Sequence, residues 1–171
     1  IDITGQICIA ALAVGVTPFV RVPAIAPEFV GRVLDAGALG IIAPHIHSAA
    51  QAQELVRMAR FPPLGTRSAA GHLPQFGFQT YPAKIADPIL ESATMIIPMI
   101  ETLEALENVE AILAVPGVDM VLVGSNDLTA EMGIAGDFDH PKLLDAYKRI
   151  IAAARQQGKH VGIGGLAGRP D

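Results

Sequence analysis

Residues 95–102, MIIPMIET, and 120–129, MVLVGSNDLT, decide how this chain is read. Each opens as an apolar run too short for a typical helix and runs into an acid. This is the pattern of a buried parallel strand that delivers a side chain to the rim of its sheet. The acids are Glu101 and Asp127. Between them Leu103, Leu106, Val109, Ile112 and Leu113 fall at helical spacing until Pro116-Gly117 stops the pattern. The unit is strand, helix, strand, and a right-handed crossover brings both carboxylates to the carboxyl-end face. Two hard oxygen ligands there point to a divalent cation, Mg²⁺ or Mn²⁺. A plainer reading stands beside that one. Glu101 also fits a first-turn acid of the following helix, and Asp127 fits an N-cap in Asn126-Asp127-Leu128.

Outward from this unit the alternation continues. Residues 19–22 and 39–44 read as strands, followed by helices over 28–36 and 49–60, the latter N-capped by Ser48 and ended by Phe61-Pro62-Pro63. The strand over 39–44 releases His45 and His47. At i and i+2 of an extended chain they point to opposite sides, so one faces a pocket while the other packs or is solvated. Residues 64–80 form a long loop carrying Arg67 and His72, and a lone loop arginine reads by itself as a solvated charge. Further helices are expected over 1–16, with Ile3, Ile7, Leu12 and Val16 partly in phase, and over 84–92 and 141–157. A glycine-punctuated turn over 132–138 and a last strand over 161–166 complete the chain. Parallel strands alternating with helices make an α/β fold, either an open sheet or part of a closed barrel.

At 171 residues, 51% of them hydrophobic, and with a mean hydropathy of +0.43, the chain has material for one domain with a substantial core. Its longest apolar stretch, residues 7–16, falls well short of the roughly 18 residues that a membrane span needs. No basic segment with a cleavage site precedes that stretch. The single cysteine, Cys8, leaves no disulfide framework and no cysteine zinc site. It fits a reducing compartment, so a cytoplasmic location without membrane contact is expected. A net charge of −5 without a basic run lacks the footprint of a nucleic-acid binder, and no glycine-rich nucleotide loop is present. Small-molecule chemistry is the class that these exclusions leave.

The order Phe61-Pro62-Pro63-Leu64-Gly65-Thr66-Arg67, Ile100-Glu101-Thr102, Gly124-Ser125-Asn126-Asp127-Leu128-Thr129 and Gly158-Lys159 resembles the HpcH/HpaI aldolase/citrate lyase family. The resemblance runs from about residue 21 to about residue 166. It implies a (β/α)8 TIM barrel, of which this chain covers the middle, from about the second helix to the seventh strand. Residues 1–171 would then form a single incomplete aldolase barrel domain. The implied activity is that of a divalent-metal-dependent class II aldolase, a carbon–carbon lyase. It would reversibly cleave a 4-hydroxy-2-oxoacid to pyruvate or hydroxypyruvate plus an aldehyde.

By the same resemblance Glu101 and Asp127 are the metal ligands, for Mg²⁺, Mn²⁺ or Co²⁺, with waters and the 2-oxoacid completing the shell. Backbone N–H groups around Gly124, Ser125, Asn126 and Asp127 would bind substrate, and Arg67 would reach the keto oxygen as a catalytic residue. The implied partners are the small-molecule oxoacid and aldehyde, and further copies of the chain in a homo-oligomer, a hexamer in the family. Three departures limit the carry-over. The family's general-base histidine would lie upstream of Ile1, its acidic partner aligns with Ala26, and the glutamine before the Ile100-Glu101 pair is Met99 here. Two alternatives stay open. One is a citrate-lyase-like or malyl-CoA-lyase-like enzyme on the same metal site, and the other is a non-catalytic metal-binding barrel module.

Overall fold

The computed structural model describes residues 2–166. Its chain divides into two compact units, Ile1–Ala43 with Glu54–Ile96 and Pro44–Gln53 with Ile97–Asp171. The first unit opens with α1 (Asp2–Ala13), β1 (Phe19–Arg21), α2 (Pro27–Asp35) and β2 (Gly40–Ala43). β1 and β2 pair in parallel with Phe19 opposite Gly40, as the helix between them requires. A Cβ on Gly40 would fall 1.8 Å from the Phe19 ring, so only glycine lets the aromatic lie across the neighbouring strand. α2 begins at Pro27, whose fixed φ suits a first helical position, and it buries Val30, Val33 and Leu34 at i, i+3, i+4 spacing.

The helix expected over 1–16 is present as α1, but its inward face differs from the one that the apolar periodicity picks out. Ile3 and Ile7 are 73% and 62% exposed, whereas Gly5 and Cys8 are buried. A Cβ on Gly5 would meet the Ala36 Cβ at 3.2 Å, so the small side of the helix is the side that packs closely. Cys8 is a core residue, and burial pushes its thiol above the ordinary range, which makes it unreactive.

α3 (Ala49–Ala59) begins in the second unit and ends in the first. Residues 64–80 are the expected loop, interrupted by one 3₁₀ turn at Pro74–Phe76. In that turn Gln75 Nε2 donates to Leu34 O at 2.7 Å and Ala38 O at 3.1 Å, tying the loop to the end of α2 and the residues after it. Phe61, Leu73 and Leu90 form a small core beneath the loop, with Leu90 supplied by α4 (Ala83–Ala93).

The second unit holds β3 (Met95–Ile100, its first two residues counted with the first unit), α5 (Leu103–Glu107) and α6 (Val109–Leu113). It continues with β4 (Met120–Gly124), α7 (Ser125–Glu131), α8 (Pro141–Gln156) and β5 (His160–Gly164). β3 pairs with β4 and β4 with β5, all in parallel. Ile97, Ile100, Ile112, Leu113, Val121, Val123, Leu128, Leu143 and Ile150 are buried in this unit.

Two expectations change here. The single helix expected between β3 and β4 is broken at Asn108, which caps α5 and whose side-chain amide donates to His47 O at 2.9 Å. β4 ends at Gly124 and Ser125 starts α7, so Asp127 stands in the first turn of a helix rather than at a strand end. Lys159, just before β5, turns its ammonium onto the Leu113 and Val115 carbonyls at the end of α6. Burial pushes that ammonium below its ordinary pKa, against a smaller upward pull from Asp119. Among the described residues no helix is long and apolar enough to cross a membrane.

Candidate metal centre

Glu101 and Asp127 line one cavity of about 360 Å³ within the second unit, together with His45, Thr102, Ala130 and Glu131. Glu101 follows β3 directly and is 2% exposed. It is not a first-turn helix acid. The cap of α5 is Thr102, whose Oγ1 accepts from Ala105 N–H at 3.1 Å, and Glu101 lies outside the helix with its carboxylate turned to the cavity. Its Oε1 accepts the His45 backbone N–H at 2.7 Å, and His45 Nδ1 lies 3.2 Å from the same oxygen. Its Oε2 is buried with no hydrogen-bond partner among the described residues.

A buried carboxylate oxygen without a partner costs on the order of 1–3 kcal/mol, and more when it carries charge, so such an atom needs a physical explanation. Gly124 supplies part of it. A Cβ at that position would stand 2.8 Å from Glu101 Cβ, 3.2 Å from Oε2 and 3.2 Å from Met99 Cε. The missing side chain therefore leaves room beside Oε2 that any other residue would fill. Gly124→Ala should destabilise the protein by about 1–3 kcal/mol, because the clash is with a Cβ fixed to the backbone rather than with a flexible side-chain end. Denaturant midpoints of the two proteins check this, and an unchanged midpoint would show that β4 yields freely.

Asp127 is exposed in the first turn of α7. The N-cap of that helix is Gly124, with no side-chain cap bond, so the plainer reading of Asp127 as an N-cap does not hold. Among the described residues its carboxylate has no hydrogen-bond partner. Asp127, Ala130 and Glu131 fall at i, i+3, i+4 on the cavity side of α7. Glu131 is the lining residue that sequence reasoning missed, and its Oε2 accepts the Leu103 N–H at 2.6 Å. The signal was there once residues 125–131 are read as a helix, since Glu131 then follows Asp127 by one turn.

Ser125 is fully buried and its hydroxyl accepts from Tyr147 OH at 2.8 Å, so its side chain is committed to anchoring α7 to α8. Asn126 is exposed beside it. The two histidines take different places, but not through the extended alternation that their spacing assumes, because the chain turns at His45, whose φ is +58°. His45 lines the cavity, while His47 Nδ1 sits 3.0 Å from Thr102 Oγ1. Among the described residues no three His, Cys, Asp or Glu side chains converge as a cage. Glu101 and Asp127 are the two carboxylates that could hold a cation in this cavity, an oxygen donor set suited to a hard divalent ion whose remaining shell is water and ligand.

Arg67 belongs to the first unit. It is not the solvated charge that a lone loop arginine suggests. Its side chain is 4% exposed, Nη2 donates to Asp35 Oδ1 at 2.8 Å, and the guanidinium lies 4.7 Å from the Phe61 ring centroid. Its Nε has no partner among the described residues.

A family model described as HpcH/HpaI aldolase/citrate lyase matches residues 5–163. A 4-hydroxy-4-methyl-2-oxoglutarate aldolase of Hapsidospora irregularis is 44% identical over 164 residues, covering 95% of this chain and 61% of the relative. A hydroxypyruvate/pyruvate aldolase of Paraburkholderia phytofirmans is 37% identical over 167 residues, covering 95% of this chain and 64% of the relative. The crystal structure of an HpcH/HpaI aldolase from Desulfitobacterium hafniense superposes with a TM-score of 0.88 at 34% identity, over 93% of this chain and 61% of that one. The chain thus spans somewhat over three fifths of the length of these curated relatives.

Proposed function

Because the chain belongs to the HpcH/HpaI aldolase/citrate lyase family and carries part of its (β/α)8 barrel fold, we propose that it supplies the metal-binding part of a class II aldolase. The reaction is the reversible cleavage of a 4-hydroxy-2-oxoacid to pyruvate or hydroxypyruvate plus an aldehyde. The observation that carries this reading is the orphaned Oε2 of buried Glu101, in a cavity shared with Asp127 and kept open by Gly124.

In this reading Glu101 and Asp127 hold the divalent cation, Mg²⁺, Mn²⁺ or Co²⁺. When bound there, the cation supplies positive charge that offsets the negative charge gathering on the oxoacid as its carbon–carbon bond breaks. The first turn of α7 leaves backbone N–H groups without intrahelical partners, and those of Ser125, Asn126 and Asp127, next to Gly124, bind the substrate carboxylate. Arg67 is assigned to the keto oxygen. The Pro62-Pro63-Leu64-Gly65-Thr66-Arg67 pattern supports this. All 171 residues belong to one barrel domain in this reading. The protein works in the cytoplasm on small molecules and pairs with further copies of itself.

Chelation tests the reading in the full-length protein that contains this chain. Retro-aldol turnover, followed as pyruvate release, should vanish in EDTA and return with added Mn²⁺ or Mg²⁺. Turnover unaffected by the chelator would sink it and leave a Schiff-base lysine to be found.

A further inference from the structure

His45 has a main-chain conformation that its sequence context does not require. It follows Pro44 just beyond β2, and its φ is +58°, the left-handed region, which histidine visits more often than most Cβ-bearing residues and which costs a residue such as alanine about 1–2 kcal/mol. The residues that follow it are held in place. Ile46 is fully buried, His47 O accepts from Asn108 Nδ2 at 2.9 Å, and the His47 N–H donates to Gln51 Oε1 at 2.6 Å. The consequence of the strained residue is a single aimed donor. The His45 N–H meets Glu101 Oε1 at 2.7 Å, while Oε2 of the same carboxylate has no partner among the described residues. The imidazole contributes less, since its Nδ1 stands 3.2 Å from Oε1 and the side chain is 67% exposed.

We propose that His45 is a positioning residue for the metal centre, acting through its left-handed backbone, which aims the amide at Glu101 Oε1 and so presents Oε2 to the cation. The inference rests on the reading of Glu101 as a metal ligand. A hydrogen bond that fixes one oxygen of a ligating carboxylate orients the other, and loss of such a bond typically weakens metal binding by about tenfold to a hundredfold. When a residue cannot hold the left-handed conformation, the segment relaxes in the metal-free protein, and the apparent affinity falls with the fraction that remains competent.

The test is to titrate Mn²⁺ into the full-length protein by electron paramagnetic resonance. The variants are His45→Gly, His45→Ala and His45→Val, with Glu101→Gln as reference and melting of each metal-free protein as control. Glycine and alanine both lack the ring and keep the N–H, and they differ in tolerance of a positive φ. His45→Gly should bind Mn²⁺ at least as tightly as wild type. His45→Ala should bind about fivefold to tenfold more weakly, and His45→Val more weakly still. If His45→Val melts early, the Gly and Ala pair carries the comparison. A Gly variant as weak as Ala would overturn the proposal, because the imidazole would then be the acting group. An Ala variant as tight as Gly, with Glu101→Gln weak, would overturn it too, because the backbone conformation would be irrelevant. Glu101→Gln binding Mn²⁺ as wild type does would instead remove the metal reading beneath it.

Discussion

Glu101→Gln is expected to remove tight Mn²⁺ binding and to lower kcat/KM of the full-length protein about a thousandfold, equivalent to ~4 kcal/mol of transition-state stabilisation. The geometry makes this substitution harsher than the loss of one charge. The His45 N–H at 2.7 Å needs an acceptor, so the glutamine carbonyl oxygen must take the place of Oε1. The amide NH2 is then forced into the place of Oε2, where it points donor hydrogens toward the position that a cation would occupy. An acceptor becomes a donor there, and no side-chain flip repairs it without leaving the His45 amide facing another donor. Folding should survive, because the side chains match in shape and a neutral amide is easier to bury than a charge. A melting temperature within a few degrees of wild type, with no Mn²⁺ bound and little turnover, is the predicted combination. Full turnover would end the assignment of Glu101 as a ligand.

The features that sequence made legible are those set by local chemistry. β3 and the start of β4 were readable because short apolar runs between turn signals mark buried strands, and Pro27, Pro141 and the Pro62-Pro63 pair bound helices wherever the chain is placed. The misreadings come from long-range partners or short windows. The break between α5 and α6 depends on an amide reaching a carbonyl 61 residues away, which no window over 103–113 contains. α7 is seven residues long, too short for helical periodicity to stand out, so from sequence Asp127 reads as the end of a strand. The large apolar residues of α1 point to one inward face, yet the helix packs by Gly5 and Cys8, because close approach selects small side chains. The two acids that share the cavity could be named from their positions after apolar runs. The left-handed turn at His45 and the Asp35 partner of Arg67 could not, since one is a backbone angle and the other a contact across 32 residues.

Asp127→Asn should weaken Mn²⁺ binding about a hundredfold, a loss on the scale of an impaired metal shell, and lower turnover at limiting metal by a similar factor. Unlike the variant at Glu101, it should recover much of its activity in excess metal. In the proposed reading Glu101 and Asp127 together offset a dication's charge, and Asn removes half of that compensation, which accounts for the loss. Recovery follows from exposure. Asp127 sits on the open side of the cavity with no hydrogen bond to its carboxylate among the described residues, so an asparagine there can turn its carbonyl oxygen toward the cation. The buried glutamine at position 101 has its orientation fixed by the His45 amide and cannot do the same. If Asp127 merely interacted with the α7 dipole, Asn would cost about 0.3–1 kcal/mol of stability and leave metal affinity unchanged. Titrating Mn²⁺ against turnover in both variants, with melting curves alongside, separates the cases. Normal metal affinity in Asp127→Asn leaves only the dipole role. Failure of excess metal to rescue it would show that Asp127 is held as rigidly as Glu101, contrary to its exposed place on α7.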